Sequence, residues 1–363
     1  MDMMFVEDCC QILDSMRVPI TASDREEGEY PYYGANGIQD YVADYIFDDE
    51  LVLLAEDGGN FGSKERPIAY RVSGKCWVNN HAHVLKPKDG LDVDYLCYSL
   101  MFYKVEGMVN GATRQKLTQA AMRKMQIPSR SMDEQKYIVD ELNCIIRIKE
   151  QRQQELQLLD DLIKARFVEM FGSIREERLL GEISEFVTVG IANSATHAYA
   201  ESGVPMLRNQ NIKENYLDDS DLIYIKPEFA AKYDSKRLKQ NDIIVMRTGY
   251  PGVACLVPEK YEGCQTFTTL IVRLKPNNNP SYVCSYINSD FGKQFINSEK
   301  VGVAQQNVGA KSLAKMPIKI APKEIQNEFA TFVKQIDKSK VAVQKALTET
   351  QLLFDSLMQQ YFG

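Results

Sequence analysis

The feature that most constrains the fold of this chain is an internal repeat. Residues 111–172 realign on residues 302–363 with a constant offset of 191 and no gap. Identical residues recur along both segments, among them Gln135 and Gln326, and both copies end in Phe-Gly. A register without gaps over this length is typical of a duplicated unit. The 363 residues are therefore expected to form two copies of one unit.

Each copy ends in a predicted long helix. Mostly apolar residues alternate by three and four positions, the spacing of a coiled-coil seam, and no proline or glycine interrupts them. The helices should start near Asp133 and Lys323. Each should be followed by a glycine in the left-handed conformation, Gly172 or Gly363. The two helices are expected to pair antiparallel within the chain. The predicted seam positions are 142, 145, 149, 152, 156, 159, 163, 166 and 170, and 333, 336, 340, 343, 347, 350, 354, 357 and 361.

Three cationic residues interrupt the apolar seams. Lys149 and Lys340 occupy the same position in the two copies, and Arg152 follows in the first copy. Polar groups at seam positions set the register or orientation of the helices, or accept the acidic groups of a partner protein. These three residues are therefore our candidate partner-binding residues.

The rest of the chain is predicted to be globular, with short strands between turn signals. Strands are expected, for example, at residues 50–55, 76–85, 242–247 and 266–274. The chain then divides into a globular unit (1–132), a central helix (133–172), a second globular unit (173–322) and a C-terminal helix (323–363).

Basic charge is concentrated at the same place in both copies. Residues 109–132 and residues 300–323 each hold five Lys or Arg and no acidic residue. Together they carry +10 against −17 for the remainder, although the net charge of the chain is −7. This distribution favours contact with a polyanion in each copy. A solvated basic stretch without a ligand is the alternative.

Side chains able to contact bases are frequent in the same halves. Arg fits guanine O6 and N7, Asn or Gln fits adenine N6 and N7, and Tyr can pack on sugars or bases. The candidate DNA-binding residues are Tyr32, Tyr33, Asn36, Asn79, Asn80, His81, Arg114, Gln115, Lys116, Arg208, Asn209, Asn211, Arg247, Thr248, Tyr250, Gln305, Gln306, Asn307 and Lys311.

Signals for catalysis, metal binding and membrane insertion are weak. Residues 58–64 lack P-loop spacing, and no glycine-rich cofactor loop precedes the Asn279-Pro280 pair. His81 and His83, expected on one face of a strand, lack a third metal ligand, and the eight cysteines include no CxxC pair. No apolar run has the length of a membrane span, and the N-terminus lacks a basic signal region. We expect a soluble, cytoplasmic protein with reduced cysteines, no metal and no catalytic residues.

Two base-contacting globules and two paired helices in a tandem repeat resemble the specificity subunit of type I restriction–modification enzymes. The resemblance covers essentially the whole chain. The stretches that carry it are 28–38 (GEYPYYGANGI), 77–85 (WVNNHAHVL), 203–208 (GVPMLR), 242–249 (DIIVMRTG), and those ending in Ile127-Pro128 and in Ile318.

This resemblance implies an α+β protein with two α/β target recognition domains, an antiparallel coiled coil and an internal pseudo-twofold repeat. Each recognition domain would contact one half of a bipartite double-stranded DNA target, while the helices set the spacing. Two modification (methyltransferase) subunits, which methylate adenine, would dock on the helices, and restriction subunits would join them. S-adenosylmethionine, ATP and Mg²⁺ would belong to those partners, so no cofactor is expected on this chain.

Two other classes of function remain open at the level of sequence. The chain could be an enzyme of its own, a methyltransferase or a nuclease. It could also be a coiled-coil adaptor whose globular units bind proteins, without sequence-specific DNA binding.

Overall fold

The chain forms two compact units, each of which takes half of each long helix. The computed structural model describes residues 2–111, 114–192, 195–300 and 306–363. One unit comprises Met1–Gln153 with Lys345–Gly363, and the other comprises Gln154–Gln344. The α+β class is confirmed, whereas the division of the sequence at residues 132, 172 and 322 stays a prediction.

A mixed six-stranded sheet dominates the first unit. Its helices and strands are β1 (Met3–Phe5), α1 (Val6–Cys9), β2 (Cys10–Ile12), β3 (Glu27–Gly34), β4 (Gly37–Val42), β5 (Phe47–Ala55), β6 (Ala69–Val78), β7 (Ala82–Pro87), α2 (Val93–Met101), β8 (Val109–Asn110), β9 (Lys116–Leu117), α3 (Gln119–Arg123), β10 (Gln126–Pro128) and the first half of α4 (Met132–Phe171). The sheet has the order β2-β7-β5-β6-β3-β4. Strands β3 and β6 pair in parallel, and the other neighbours are antiparallel.

Two four-stranded sheets form the second unit. After α4, its elements are β11 (Glu177–Leu179), α5 (Leu180–Ile183), β12 (Ser184–Val189), β13 (Tyr199–Ala200), β14 (Val204–Leu207), β15 (Ile212–Lys213), β16 (Tyr216–Leu217), β17 (Ile223–Ile225), α6 (Pro227–Ala231), β18 (Ile243–Val245), β19 (Ala254–Leu256), β20 (Gln265–Thr266), β21 (Leu270–Leu274), α7 (Pro280–Asn288), α8 (Asp290–Glu299), α9 (Ala310–Leu313), β22 (Pro317–Lys319) and α10 (Lys323–Phe362). The sheet orders are β12-β21-β18-β19 and β13-β17-β14-β20. Strands β11 and β22 pair antiparallel, as β1 and β10 do in the first unit.

The two long helices confirm the prediction from the repeat. Helices α4 and α10 begin within one residue of their predicted starts, and each is about 60 Å long at about 1.5 Å per residue. They pair antiparallel, since Lys149 contacts Gln351 in the first unit and Lys340 contacts Asp160 in the second. Every predicted seam position is buried or half-buried.

Each unit has a core that is completed by the helix of the other sequence copy. In the first unit, Phe354 of α10 is buried, and the ring of Phe362 lies 5.3 Å from that of Tyr95. In the second unit, Phe167 and Phe171 of α4 are buried in the core. Folding of either unit therefore requires residues from both copies.

A buried glutamine joins each long helix to its unit. Gln135 Oε1 accepts a hydrogen bond from the backbone N–H of Asp92 at 2.8 Å. Gln326 Oε1 accepts one from the backbone N–H of Asn279 at 2.9 Å. Asp92 and Asn279 are the N-caps of α2 and α7, whose free amide groups they bind. The identity of Gln135 and Gln326 in the repeat thus reflects one structural role.

One predicted strand, at residues 76–85, is wrong because a turn divides it into β6 and β7. The side-chain oxygen of Asn79 accepts the backbone N–H of His81 at 2.8 Å, which is the local bond that asparagine uses to form turns. His81 lies in this turn, while His83 is buried on β7. The two histidines therefore do not share one face of a strand.

Two further expectations also differ from the structure. The predicted strand at residues 266–274 is interrupted between β20 and β21, where Thr268 has a φ of +54°. Gly172 follows α4 as expected but is not left-handed. A Cβ atom there would lie 2.6 Å from the carbonyl oxygen of Val168, so the position needs glycine for space.

The structure also bears on two expectations from the sequence, the state of the cysteines and the presence of membrane-spanning helices. All eight cysteines are free, and six are buried, whereas Cys9 is half-buried and Cys144 is exposed. Within the described ranges, no helix combines the length and the apolar character that crossing a membrane requires.

Replacing Phe329 by Ala should lower the free energy of unfolding of the second unit by about 3–5 kcal/mol. Its ring is fully buried and lies 5.5 Å from that of Phe167 and 5.4 Å from that of Phe171. Leu162→Ala is the control, because this α4 side chain is 46% exposed. Urea denaturation followed by circular dichroism measures both variants, and equal shifts would contradict the proposed packing.

Candidate nucleic-acid interface

In the first unit, the predicted site residues gather around a turn at the end of β5. The turn is Glu56-Asp57-Gly58, and Gly58 has a φ of +69°, a conformation that favours glycine. The backbone N–H of Gly58 donates to Gln115 at 3.1 Å, and the N–H of Leu117 donates to Glu56 at 2.7 Å. The turn is thereby fixed to the basic segment that contains residues 114–117.

Side chains from three segments converge on this turn. Asn36 Nδ2 donates to the carbonyl oxygen of Gly58 at 3.0 Å. Arg114 Nε lies 2.5 Å from one carboxylate oxygen of Asp57, and His81 Nδ1 lies 3.5 Å from the other. Asn80, Gln115 and Lys116 are exposed beside them. Of the candidates in this half, these six form one polar surface.

A buried charged network lies beneath the turn. His83 is fully buried, with Nδ1 2.7 Å from a carboxylate oxygen of Asp14 and Nε2 2.9 Å from the carbonyl oxygen of Leu117. Both ring nitrogens thus lie at hydrogen-bond distance from acceptor oxygens. Glu56 completes the network by accepting from Arg17 at 2.6 Å and from Lys116 at 3.0 Å.

Hydrogen bonds keep the two carboxylates of this network ionised. Burial alone would raise the pKa of Asp14, but hydrogen bonds from His83, Val84 and Gln119 hold that pKa below its ordinary value. Burial also opposes ionisation of Glu56, whose pKa is nevertheless lowered by Arg17 and Lys116. The two carboxylates are therefore neutralised by neighbouring cations.

Asp14, Glu56 and His83 also have the side-chain types and proximity of a metal site, since their ligand atoms lie within 4.8 Å of one another. The chemistry of the cluster does not fit a metal. His83 Nδ1 lies at hydrogen-bond distance, 2.7 Å, from the carboxylate of Asp14, which leaves no room for an ion between these two ligand atoms, and the cations Arg17 and Lys116 already contact Glu56. We conclude that the cluster is a salt-bridge network that supports the turn.

In the second unit, candidates gather around the turn Arg247-Thr248-Gly249, which follows β18. Gly249 has a φ of +83°, and the backbone N–H of Val308 donates to Arg247 at 3.1 Å. Thr248 forms an isolated antiparallel bridge with Asn307, and its Oγ1 accepts from Asn209 Nδ2 at 2.8 Å. The candidates Tyr250, Gln306 and Lys311 are exposed.

Polar atoms without partners cluster at this second turn. Arg247 Nε, Arg208 Nε and Asn209 Oδ1 are buried, and none has a hydrogen-bond partner among the described residues. The other end of the Arg208 guanidinium binds the backbone oxygen and the carboxylate of Asp221 at 3.0 and 3.1 Å. Buried polar atoms normally have partners, and exceptions often mark a functional position or an unseen ligand.

Several candidate residues lie below the surface. The hydroxyl group of the buried Tyr32 bonds to the backbone of Ile20, and Asn79 is buried in its own turn. Asn211 is buried and donates to two backbone carbonyls. Tyr33 is half-buried, with its ring 5.8 Å from that of Tyr70. We leave these four out of the proposed contact surface; Gln305 lies outside the described residues.

The basic windows also divide into exposed and structural cations. Lys319 is buried and donates to the carbonyl oxygen of Gly172 at 2.9 Å, and Arg130 donates to the backbone oxygen of Tyr361 at 3.0 Å. Lys311 and Lys315 are exposed. Only part of each window can therefore meet a phosphate backbone.

The seam cations lie between the helices. Lys149 contacts Gln351 and lies 5.2 Å from the ring centroid of Phe354, and Lys340 contacts Asp160. Arg152 is half-buried. For the two lysines, these contacts favour the register-setting role over the binding of a partner.

Sequence reasoning missed Asp14, Glu56 and Asp57. Extended upstream of residue 111, where the sequence repeat is not evident, the offset of 191 aligns Glu56-Asp57-Gly58 with Arg247-Thr248-Gly249. No sequence signal marked Asp14, which meets His83 only through folding.

Comparisons with known proteins agree with this geometry. A family model described as type I restriction modification DNA specificity domain matches residues 1–158 and again residues 175–351. A putative type I restriction enzyme specificity subunit from Haemophilus influenzae is 36% identical over 140 residues, which cover 39% of this chain and 36% of that relative. The alignment thus spans little more than a third of the relative's length.

Solved structures show the same fold. The type I restriction–modification S subunit from M. genitalium matches with a TM-score of 0.56 and 14% identity, covering all of this chain and 96% of that chain. A chain from a structure on complex assembly and conformational transition of the type I restriction–modification system matches with a TM-score of 0.60 and 13% identity, covering 99% and 97%.

Asp14→Asn should destabilise the first unit at pH 7 by about 3 kcal/mol, because it replaces the buried carboxylate that binds the His83 ring, the backbone N–H of Val84 and the amide of Gln119. A carboxyl group with a lowered folded-state pKa stabilises the fold above its unfolded pKa, about 3.9, and loses that effect as the pH falls through the folded value. The difference from the wild type should therefore shrink below about pH 4. Urea midpoints across pH measure it, with the exposed Asp89→Asn as the control; a difference independent of pH would contradict the network.

Proposed function

Because this chain belongs to the type I restriction–modification DNA specificity family, whose model matches two segments that together cover most of its length, we propose that each unit contacts one half of a bipartite DNA target. The chain itself would carry no catalytic activity and would direct partner subunits to the target. We expect this to occur in the cytoplasm, where the DNA lies.

The observation that supports the proposal most strongly is the duplicated turn. In both units, a glycine turn after a buried strand is bridged to the basic segment, and an asparagine side chain binds the turn from the front part of the unit. Exposed Asn, Gln, Arg and Lys side chains surround the turn of the first unit, and exposed Gln and Lys with half-buried Arg and Asn side chains surround that of the second. These side-chain types bind base edges in the major groove, whereas exposed lysines suit phosphates.

In this proposal, different residues have different tasks. The half-buried side chains of Arg247 and Asn209, at the second turn, would contact bases. Lys311 and Lys315 would contact phosphates and supply affinity without sequence preference. In the first unit, Asn36, His81 and Arg114 would face bases.

We further propose that the paired helices set the spacing between the half-sites and bind two modification subunits. Supporting this, Leu162 and Leu353 are equivalent in the repeat, and both are exposed, by 46% and 52%. Leu158, one helical turn before Leu162, and Leu352, beside Leu353, are exposed as well, and adjoining exposed apolar residues mark a surface that a partner can cover. Restriction subunits would join this complex.

Replacing Lys311 by Glu should weaken DNA binding similarly for all sequences and lower the slope of log K against log salt by about one. Lys311 lies in the basic window, and its side chain is exposed. Fluorescence anisotropy with the co-purified complex at several salt concentrations measures the slope.

Lys345→Glu is the matched control, since Lys345 is exposed on α10 outside the basic windows. The adaptor hypothesis expects both variants to bind DNA as the wild type does. That outcome would contradict the assignment of Lys311 to phosphate binding.

Leu162→Asp and Leu353→Asp should each reduce the number of bound modification subunits from two to one, and the double variant should bind none. A charge at an apolar interface loses its hydration on binding, which costs several kcal/mol. Mass photometry of the co-expressed complex counts the subunits. Ile38→Asp, at a 49% exposed residue on β4, is the control; two subunits on the double variant would contradict the proposed docking surface.

A further inference from the structure

The two turns correspond residue by residue, although they lie outside the segment in which the sequence repeat is evident. The isolated bridges pair Asp57 with Lys116 and Thr248 with Asn307, and both members differ by the same offset of 191. The left-handed glycines, Gly58 and Gly249, differ by that offset as well. Asp57 and Thr248 therefore occupy one structural position in the two units.

The backbone hydrogen bonds confirm this correspondence. Leu117 donates to Glu56 at 2.7 Å, and Val308 donates to Arg247 at 3.1 Å. Adding 191 to the first pair gives the second pair. Equivalent backbone positions thus carry side chains of opposite character, Glu56-Asp57 in one unit and Arg247-Thr248 in the other.

Of the two acidic residues, Asp57 is the one that faces the polar surface. The side chain of Glu56 is 11% exposed and contacts Arg17 and Lys116 in the buried network. The side chain of Asp57 is 22% exposed and lies between Arg114 and His81. A carboxylate offers about four lone-pair directions, so these two neighbours leave Asp57 able to accept a further hydrogen bond.

A carboxylate at a DNA-contacting surface has a restricted set of partners. It repels phosphates, and it cannot bind the acceptor atoms O6 and N7 of guanine. It can accept from the exocyclic amino groups, N4 of cytosine and N6 of adenine. Arg114, held at 2.5 Å by Asp57, would be oriented by it towards the same groove.

The second turn has the opposite preference. Arg247 is half-buried, and a guanidinium has only donors. Thr248 Oγ1 already accepts from Asn209 Nδ2, so its hydroxyl hydrogen remains available for donation. Two adjacent donors suit guanine, which presents two acceptors in the major groove.

We infer that Asp57 is a specificity-determining residue that selects a base with an exocyclic amino group, cytosine or adenine, in the half-site of the first unit. At the equivalent position of the second unit, Thr248 with Arg247 selects guanine. The two half-sites therefore differ in chemistry at structurally equivalent positions. This inference rests on the proposed function, because it assumes that each unit contacts one half-site.

The test exchanges the two residues. Asp57→Thr and Thr248→Asp are each introduced into the full chain, co-expressed with the modification subunit, and the methylated adenines of the host DNA are mapped. Asp57→Thr should lower the preference for cytosine or adenine at one position of one half-site by about tenfold or more. Thr248→Asp should lower the preference for guanine at one position of the other half-site.

The result for the wild type distinguishes a failure of the proposed function from a failure of the inference about base choice. A wild type that yields no two-part motif contradicts the proposed function itself. A wild type with a two-part motif, beside an Asp57→Thr variant that methylates the same motif with unchanged preference, overturns only the inference. Asp49→Thr is the matched control and should leave the motif unchanged. Asp49 lies on β5 away from the turn, where it forms an ion pair with Lys86 of β7.

A variant of Asp57 that supports no methylation also tests the inference. Asp57→Asn keeps the size of the side chain and tests whether the turn tolerates substitution. If both Asp57 variants assemble with the modification subunit but methylate nothing, Asp57 supports binding rather than base choice, and the inference fails. An unchanged half-site in Thr248→Asp overturns it independently.

Discussion

The antiparallel packing of α4 on α10 is the interaction on which both units depend. Each helix begins in one unit and ends in the other, and its end closes the core there, through Phe354 in the first unit and through Phe167 and Phe171 in the second. A recognition unit therefore cannot be completed by one sequence copy alone. The seam contacts of Lys149 and Lys340 lie in this packing, one in each unit.

Much of this architecture could be predicted from the sequence, because the repeat and the helices depend on periodicity. A register without gaps and an uninterrupted seam of 3.5-residue spacing defined the helix ends to within a residue. The strand expected at residues 76–85 was wrong because one side-chain hydrogen bond, from the N–H of His81 to Asn79, outweighs the strand pattern. Such local bonds are not visible in a pattern of apolar residues.

The candidate site could be predicted only in part, because residue type does not determine burial. Asn36, His81 and Arg114 meet at one turn, whereas Tyr32, Asn79 and Asn211 satisfy their polar groups inside the fold. Asp57 was missed because a carboxylate repels phosphates and is therefore not a residue type expected at a DNA surface. Beneath that turn, Asp14 and His83 form a charged support whose members come from distant parts of the chain and meet only through folding.

The central claim is that one chain carries two units that each contact half of a divided target. The most direct test is to co-express the unaltered chain with its modification subunit and to map every methylated adenine in the host DNA. The account predicts a motif of two short parts, unlike in sequence, separated by a spacer of fixed length. A single continuous motif would contradict it.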